Sequence, residues 1–534
     1  MVFFFHGLVG PDDAANFLSH DLWRLAMAAS ASPTAKLGGL PSAFTGCALR
    51  LALRVFHALA KRVGAAPPFD RPRESFDAGG RPRSLANALA RNAAREDEPP
   101  EQGLVYLDLS DVLCHAIWHD SWAGIPRVQL EIAASLGRTR QSLRVIALRN
   151  RKWRDLRPLL EAADGDVDTM FRLMRAVFVD FHWSPAGVVA YVVSRLKYRS
   201  LLRRAEPPEP GARDTVFIGG AFWIDRDIIE FCRRAADRGA NLIVLLHDLI
   251  PLVTPYFTGH DFRDEYLAML RLPAHFIVTT PRNRRDLESV WQGRGDAGPV
   301  ARISIVHLAD EFPGAQRNEC LCEASSRLAR LRGEDFALCV GTVEIRKNHL
   351  ALLLAWEELA VEFGESLPKL VVAGRRGWKA DAALARLDEL DAAGDLVQFV
   401  EAPSDDELRW LYASCRFTVF PSYFEGWGLP VGESFWFGKA CAASNAGSIP
   451  FVGRDLCQYF SPYDAEEMKA AVRALLNAET RRSFQAKIRA TPLRKWEDVA
   501  RDLNAKIVEG RPTCDASNTA PAFRAGESEG LRRA

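Results

Sequence analysis

The chain has 534 residues, 48% apolar and 26% charged, with a net charge of +1. Such a length exceeds one ordinary core and calls for two or three domains, and such a composition is that of a folded chain. A nearly neutral balance supplies no global field to recruit nucleic acid, so any anion has to be bound locally. No stretch reaches the ~18 uninterrupted apolar residues of a membrane span. The opening MVFFFHGLVGPDD has no basic lead and an early acidic pair, which is unlike a signal peptide. The ten cysteines are scattered without a C-x-x-C pair. Several lie in apolar runs, as Cys339 and Cys441 do, and they read as buried free thiols in a reducing, cytoplasmic compartment rather than as a metal site.

Residues 1–100 lack a strand–helix rhythm and end in the linker-like REDEPPEQG. They are expected to form a mainly helical N-terminal extension. Within it, residues 47–64 interleave Arg50, Arg54, Lys61 and Arg62 with Leu, Val and Phe at helical spacing. Two readings stand. The commoner is a helix packed on the body; the other is a helix peripheral on the inner face of the cytoplasmic membrane. Strands are then expected in 103–110, 143–149, 215–223, 241–252, 275–280 and 302–309, with a helix over 123–137 opened by Pro126. After a polar, partly helical bridge (311–334) come strands in 336–343, 369–377, 396–402, 417–424 and 439–447 and a helix over 348–364. This alternation predicts two α/β halves with open parallel sheets. The expected division is 1–100 extension and linker, 101–310 first half and 311–490 second half. A C-terminal helix follows over 491–510, for which a return to the first half is open, and then a polar, disordered tail over 511–534.

Ligands of such sheets bind beyond the carboxyl ends of the strands. PSYFEGWGLPVGES, which begins at Pro421, places Glu425 and Glu433 eight positions apart. On one helix they would be ~80° apart in rotation and ~12 Å apart along the axis, unable to cooperate. Instead EGWG reads as a turn, with Gly426 and Gly428 free to take positive φ. Pro430 suits the start of a helix. Glu425 then falls at a strand end and Glu433 in the first helical turn, so both can converge on one ligand. Amides from Gly428 to Val431, including that of Leu429, suit an anion. Ionised carboxylates only accept hydrogen bonds, which suits sugar hydroxyls. The plain alternative is a helix start whose dipole favours two acids. Earlier, VGTVEIRKNHL puts Arg346, Lys347 and Asn348 between a strand and a helix, where adjacent cations can clamp a diphosphate. A solvated basic turn is the alternative. Clamp and carboxylate pair together point to a nucleotide sugar.

The elements VGTVEIRKNH, VVAGRRGW, SDDELRWLYASCRFTVFPSYFEGWGLPVGES and SNAGSIPFVG occur in the order found in family 4 of the retaining glycosyltransferases, and the chain resembles that family over roughly residues 103–505. GIPRVQLE, HDLIPL and VTTPRNRRDL fit its N-terminal half less tightly. The resemblance implies the GT-B fold: two Rossmann-like α/β domains facing each other across a donor-binding cleft. It implies that Glu425 faces the donor sugar and Glu433 the ribose, and that Arg346 and Lys347 neutralise the departing diphosphate. Gly428 and Leu429 would bind the distal phosphate, Gly124 would let the N-domain backbone approach it, and His247 would reach the sugar from the acceptor side. Gly341, Asn348 and Gly374 complete the implied donor site, with Trp378 near the base. Asp248 is expected to orient its loop and Arg127 to be structural. No metal or other cofactor is expected, since the two cations replace one. The expected partners are a nucleotide-sugar donor, with GDP-mannose or a related GDP-sugar favoured, and a glycan or lipid-linked acceptor of bacterial surface polysaccharide. Other readings are a sugar-nucleotide epimerase, a phosphorylase (for which no pyridoxal-lysine motif appears) and a non-catalytic scaffold of an assembly complex. The chain departs from the family pattern at Pro450-Phe451, where Pro-Glu is usual, and at VHLADEF.

Overall fold

The computed structural model describes residues 103–157 with short breaks, isolated positions between 166 and 174, and residues 208–293, 302–320 and 323–509. The expectations for 1–100, for the basic helix at 47–64 and for the tail at 511–534 lie outside the described residues. Among the described residues no helix is long and apolar enough to cross a membrane.

The first half builds a seven-stranded sheet from β1 (Val105–Asp108), β2 (Leu143–Arg149), β3 (Lys152–Asp155), β4 (Thr215–Ile218), β5 (Asn241–Leu246), β6 (His275–Val278) and β7 (Arg302–Ile305). Its order is β3-β2-β1-β4-β5-β6-β7, parallel except for β3, which runs antiparallel to β2. The second half builds a parallel six-stranded sheet from β8 (Phe336–Val340), β9 (Lys369–Gly374), β10 (Val397–Glu401), β11 (Phe417–Phe420), β12 (Cys441–Ser444) and β13 (Cys457–Phe460), in the order β10-β9-β8-β11-β12-β13. The central strands TVFI and FTVF are buried at every residue. Continuous apolar runs of this kind are what strands covered by helices on both faces require.

In each sheet the first strand pairs on both sides, β1 with β2 and β4, and β8 with β9 and β11. Strand order reverses there, and two connections leave a crevice between them. Four helices carry or adjoin residues of the lobe contacts: α1 (Gly124–Thr139), between β1 and β2; α2 (Pro281–Gln292), after β6; α3 (His349–Phe363), after β8; and α4 (Asp405–Ser414), after β10. A fifth, α5 (Leu429–Trp436), follows β11.

Helix α1 begins at Gly124, so Pro126 is its third residue rather than its opener. Ten consecutive residues, Arg127 to Leu136, are buried. The reason is that α1 is covered on two sides. The last described helix, α6 (Trp496–Glu509), places Val499, Leu503 and Ile507 in one core with Val128, Ile132 and Leu136. Helix α6 therefore returns from the second sheet to pack on the first. The same core takes in Phe420, Val431 and Phe435 beneath the β11–α5 loop. Among the described cysteines, Cys232, Cys339, Cys415, Cys441 and Cys457 are buried free thiols, whereas Cys114 and Cys320 are exposed, against the expectation of general burial.

Candidate donor site

The sequence between β11 and α5 does what its turn residues dictate. Strand β11 ends at Phe420, the chain crosses Ser422 to Trp427, and Gly428 caps α5 with φ 108°. A side chain at Gly428 would be strained in that conformation. Pro430 lies in the first turn, where a missing N–H costs nothing. Glu433 is the fifth residue of α5, not part of its first turn. The dipole explanation for two acids at a helix start therefore does not apply to it.

Glu425 is buried between the two cations that follow β8. Lys347 Nζ donates to its Oε1 at 2.7 Å, and Arg346 Nη1 lies 2.5 Å from its Oε2. Arg346 also donates to the Phe424 carbonyl at 2.9 Å and to Glu344 Oε1 at 2.6 Å. Burial pushes the Glu425 carboxyl up, but the charges and hydrogen bonds of Arg346 and Lys347 outweigh it and hold the group at about 2. Glu425 is therefore ionised at any physiological pH. The buried Glu344 is pushed above its usual range by desolvation, in spite of the same two cations.

Glu433 is gripped from the other lobe. Arg127 Nη1, in the first turn of α1, donates to Glu433 Oε1 at 3.0 Å, and the Tyr412 hydroxyl donates to Oε2 at 2.7 Å. Arg127 Nη2 pairs with Asp405 at the start of α4. Arg127 is thus a strut between the lobes, 306 positions from its carboxylate partner. Sequence reasoning had assigned it no more than a structural part. The signal available was a lone cation within a run of buried residues.

The lobes touch at several other points. Gly426 meets the loop after β5 so closely that a Cβ there would lie 2.3 Å from the His247 carbonyl oxygen. The Gly426 carbonyl accepts from Thr279 Oγ1 at 2.9 Å and from Asn283 Nδ2 at 2.8 Å. Thr280, which caps α2, exchanges a 2.7 Å hydrogen bond with Ser448. Arg454 and the Arg494 amide both reach Asp310 Oδ2, at 2.8 and 3.0 Å.

The other expected site residues divide by what they touch. The His247 ring is buried, and its Nε2 lies 2.7 Å from the Gly219 carbonyl, which requires a proton on that nitrogen. Burial lowers its pKa against the opposing pull of that bond and of Asp111. The neutral imidazole keeps Nδ1 as its acceptor. Asp248 accepts from the Ile250 amide at 3.0 Å, which orients its loop. Asn348, at φ 58°, gives its side-chain amide to the carbonyls of Pro421 at 3.2 Å and Pro462 at 3.0 Å. It ties together the loops after β8, β11 and β13. Gly374 is needed for packing, since a Cβ there would lie 1.9 Å from the Gly341 carbonyl oxygen. Gly341 lies beneath Lys347, 3.5 Å from its Cδ by the same construction. Gly124 opens α1 with φ 55° and has open space where a side chain would project. Leu429 is half-buried at the start of α5. Trp378 Nε1 donates to the Phe257 carbonyl of the other lobe at 3.0 Å.

Residues 324–491 match the family described as Glycosyl transferases group 1. Among curated proteins, the O-antigen chain mannosyltransferase B of Escherichia coli is 32% identical over 249 residues, 46% of this chain and 58% of that protein. The serotype-specific mannosyltransferase WbdA of Escherichia coli is 28% identical over 211 residues, 38% of this chain and 25% of that protein. The chain thus spans less than two thirds of the length of either relative. Among solved structures, a sucrose-phosphate synthase from Thermosynechococcus elongatus superposes with a TM-score of 0.50 at 16% identity, over 76% of this chain and 98% of its own, which bears on the fold alone. Two Rossmann-like lobes around a cleft give the chain the GT-B fold, and its second lobe carries a segment similar to the glycosyl transferases group 1 and to bacterial mannosyltransferases.

Proposed function

We propose that the chain is a retaining glycosyltransferase. It moves a sugar from a nucleotide-sugar donor, most simply GDP-mannose or a related GDP-sugar, to a glycan or lipid-linked acceptor of bacterial surface polysaccharide. The observation that carries the reading is the cluster of buried Glu425 with half-buried Arg346 and Lys347 at the switch point between β8 and β11, with Glu433 one helix further on. The printed names of the E. coli relatives support the choice of mannose.

The bond to be broken joins the anomeric carbon to a phosphate oxygen. As it lengthens, negative charge grows on the diphosphate and positive charge on the sugar. Arg346 and Lys347 are fixed cations for the first, and Glu425 is a fixed anion for the second. Fixed charges in a closed cleft stabilise separating charge without reorganising. The acceptor oxygen bonds to the anomeric carbon on the face the diphosphate leaves, and its proton passes to the departing phosphate. Glu425 shares both cations with the diphosphate site, so a diphosphate bound to Arg346 and Lys347 leaves the carboxylate to the sugar hydroxyls. Glu433 accepts from the ribose hydroxyls in place of Arg127.

Calorimetric titration with GDP, UDP, ADP and dTDP tests this reading. One nucleotide is expected to bind. Its affinity should drop by about 1.5–3 kcal/mol, the scale of a hydrogen bond to a charged group, when Glu433→Ala is added to Arg127→Leu, a background in which Glu433 has no Arg127 bond to give up. Absence of binding by all four, or unchanged affinity in the variant, would overturn it.

A further inference from the structure

The cleft rim carries a feature that the donor site does not use. Four aromatic rings run in unbroken contact from one lobe to the other. Tyr256 meets Phe257 with centroids 5.7 Å apart at 64°, Phe257 meets Tyr423 at 5.9 Å and 8°, and Tyr423 meets Tyr463 at 5.2 Å and 30°. Tyr256 and Phe257 follow β5 in the first lobe, Tyr423 follows β11 and Tyr463 follows β13. The parallel pairs are offset rather than face to face, so each ring covers only part of its neighbour. The two end rings are open to solvent, Tyr256 at 67% and Tyr463 at 76% exposure. Trp378, at 44%, joins the row through its bond to the Phe257 carbonyl. These are the three most exposed aromatic side chains among the described residues.

Core packing does not account for them, and the row holds no aliphatic side chain. The exposed aliphatic residues lie on other elements, Leu354 and Val361 on α3, Val508 on α6 and Ile224 in the turn after β4. The row is also polar at its edges. The Tyr256 and Tyr463 phenols lie near enough to that of Tyr423 to act on it electrostatically. Lys379 holds its ammonium 5.5 Å from the Tyr256 ring while donating to the Tyr256 carbonyl. Apolar ring surface edged by hydroxyls and one cation suits a ligand with C–H faces and a hydroxyl perimeter, and that is a chain of pyranoses. It suits an acyl chain poorly, because the hydroxyls would lose water without gaining partners.

Its position fixes which sugar chain. Tyr423 stands two residues before Glu425, and its amide donates to the Arg346 carbonyl at 2.8 Å. The row therefore begins beside the proposed reacting centre and leads outward across both lobes. We infer that Tyr256, Phe257, Tyr423 and Tyr463, braced by Trp378, form the subsite that holds the acceptor glycan, reading more than one sugar unit back from the growing end. The inference rests on the transferase reading above. Because residues of both lobes build the row, the subsite is complete only when the cleft is closed.

The test uses the full chain with an α-linked mannotetraose and methyl α-mannoside as probes, read by saturation-transfer NMR and calorimetry. The tetrasaccharide should bind more tightly than the monosaccharide. Tyr256→Ala and Tyr463→Ala should each weaken tetrasaccharide binding roughly 2–10-fold, the scale of one aromatic contact. Neither substitution should alter the monosaccharide or the nucleoside diphosphate. Both residues are exposed, so the variants should fold, and unchanged nucleotide binding verifies it. Equal binding of the tetrasaccharide by the parent and both variants, or no tetrasaccharide binding at all, would overturn the subsite while leaving the transferase reading intact. Loss of nucleotide affinity in either variant would also overturn it, by assigning the rings to the base. Loss of nucleotide binding in the parent itself would refute the transferase reading instead.

Discussion

Replacing Arg127 by leucine isolates the link between the lobes. Arg127 lies 3.0 Å from Glu433, with side chains only 6% and 7% exposed, and it also pairs with Asp405. Removing one member of a buried pair strands the other, at a cost of about 3–5 kcal/mol in stability. The variant should therefore unfold at a lower denaturant midpoint than the parent. Nucleotide binding should move the other way. If ribose hydroxyls take the place of Arg127 on Glu433, the parent must first break a charge-assisted bond worth about 1.5–3 kcal/mol. The variant has no such bond to break, so its nucleotide affinity should rise by about tenfold or more. Calorimetry gives the affinity, and denaturant unfolding with and without saturating nucleotide gives the linkage. Nucleotide should rescue the variant by more than it stabilises the parent. A tenfold loss of affinity in Arg127→Leu would refute the reasoning and make Arg127 a direct donor ligand.

Other expectations follow from single contacts. Arg346→Ala should cut turnover more than donor affinity, because phosphate charge grows towards the transition state; equal losses in steady-state kinetics would contradict that role. Gly426→Ala would place a Cβ 2.3 Å from the His247 carbonyl oxygen and 2.6 Å from the Asp248 Cβ. Backbone cannot yield as a flexible side chain does, so the variant should lose about 1–3 kcal/mol of stability and most of its activity; a parent-like melt and rate would mean the lobes do not close there. Asp108, buried beside Ser110, has its carboxyl pushed up by desolvation to about 7. Its folded pKa exceeds the unfolded value, so the stability it contributes is full below about pH 4 and is lost as pH rises through 7. Between pH 5 and pH 8 the parent should lose a few kcal/mol that Asp108→Asn does not lose; parallel stability profiles would show that Asp108 does not titrate in this range.

The sheet-forming parts of the molecule were legible because burial on both faces leaves a continuous apolar run. FTVF and TVFI read as strands and are strands. Strand β3, with the sequence KWRD, was missed because an edge strand with one apolar residue carries no such signal. Strand β13, with CQYF, is too short and mixed to stand out. The turn between Glu425 and Glu433 was readable from Gly428 and Pro430, since their backbone limits are local; Gly426 does not take the positive φ expected of it and is required instead by its close approach to the His247 carbonyl. The setting of Glu433 was not readable, because its partner Arg127 lies in a different lobe, 306 positions away. The bond from Trp378 to the Phe257 carbonyl of the other lobe was not readable for the same reason. Local chemistry is written along the chain, whereas contacts across a cleft depend on how two separate sheets come together.

The most direct measurement is proton NMR of the product formed from GDP-α-mannose and a mannooligosaccharide acceptor, with Glu425→Gln run beside the parent. The account predicts GDP release coupled to a new α-linked residue, with the anomeric configuration of the donor kept. It predicts almost none in the variant, whose neutral amide no longer faces the developing positive charge. A β-linked product, or transfer undiminished in Glu425→Gln, would contradict it.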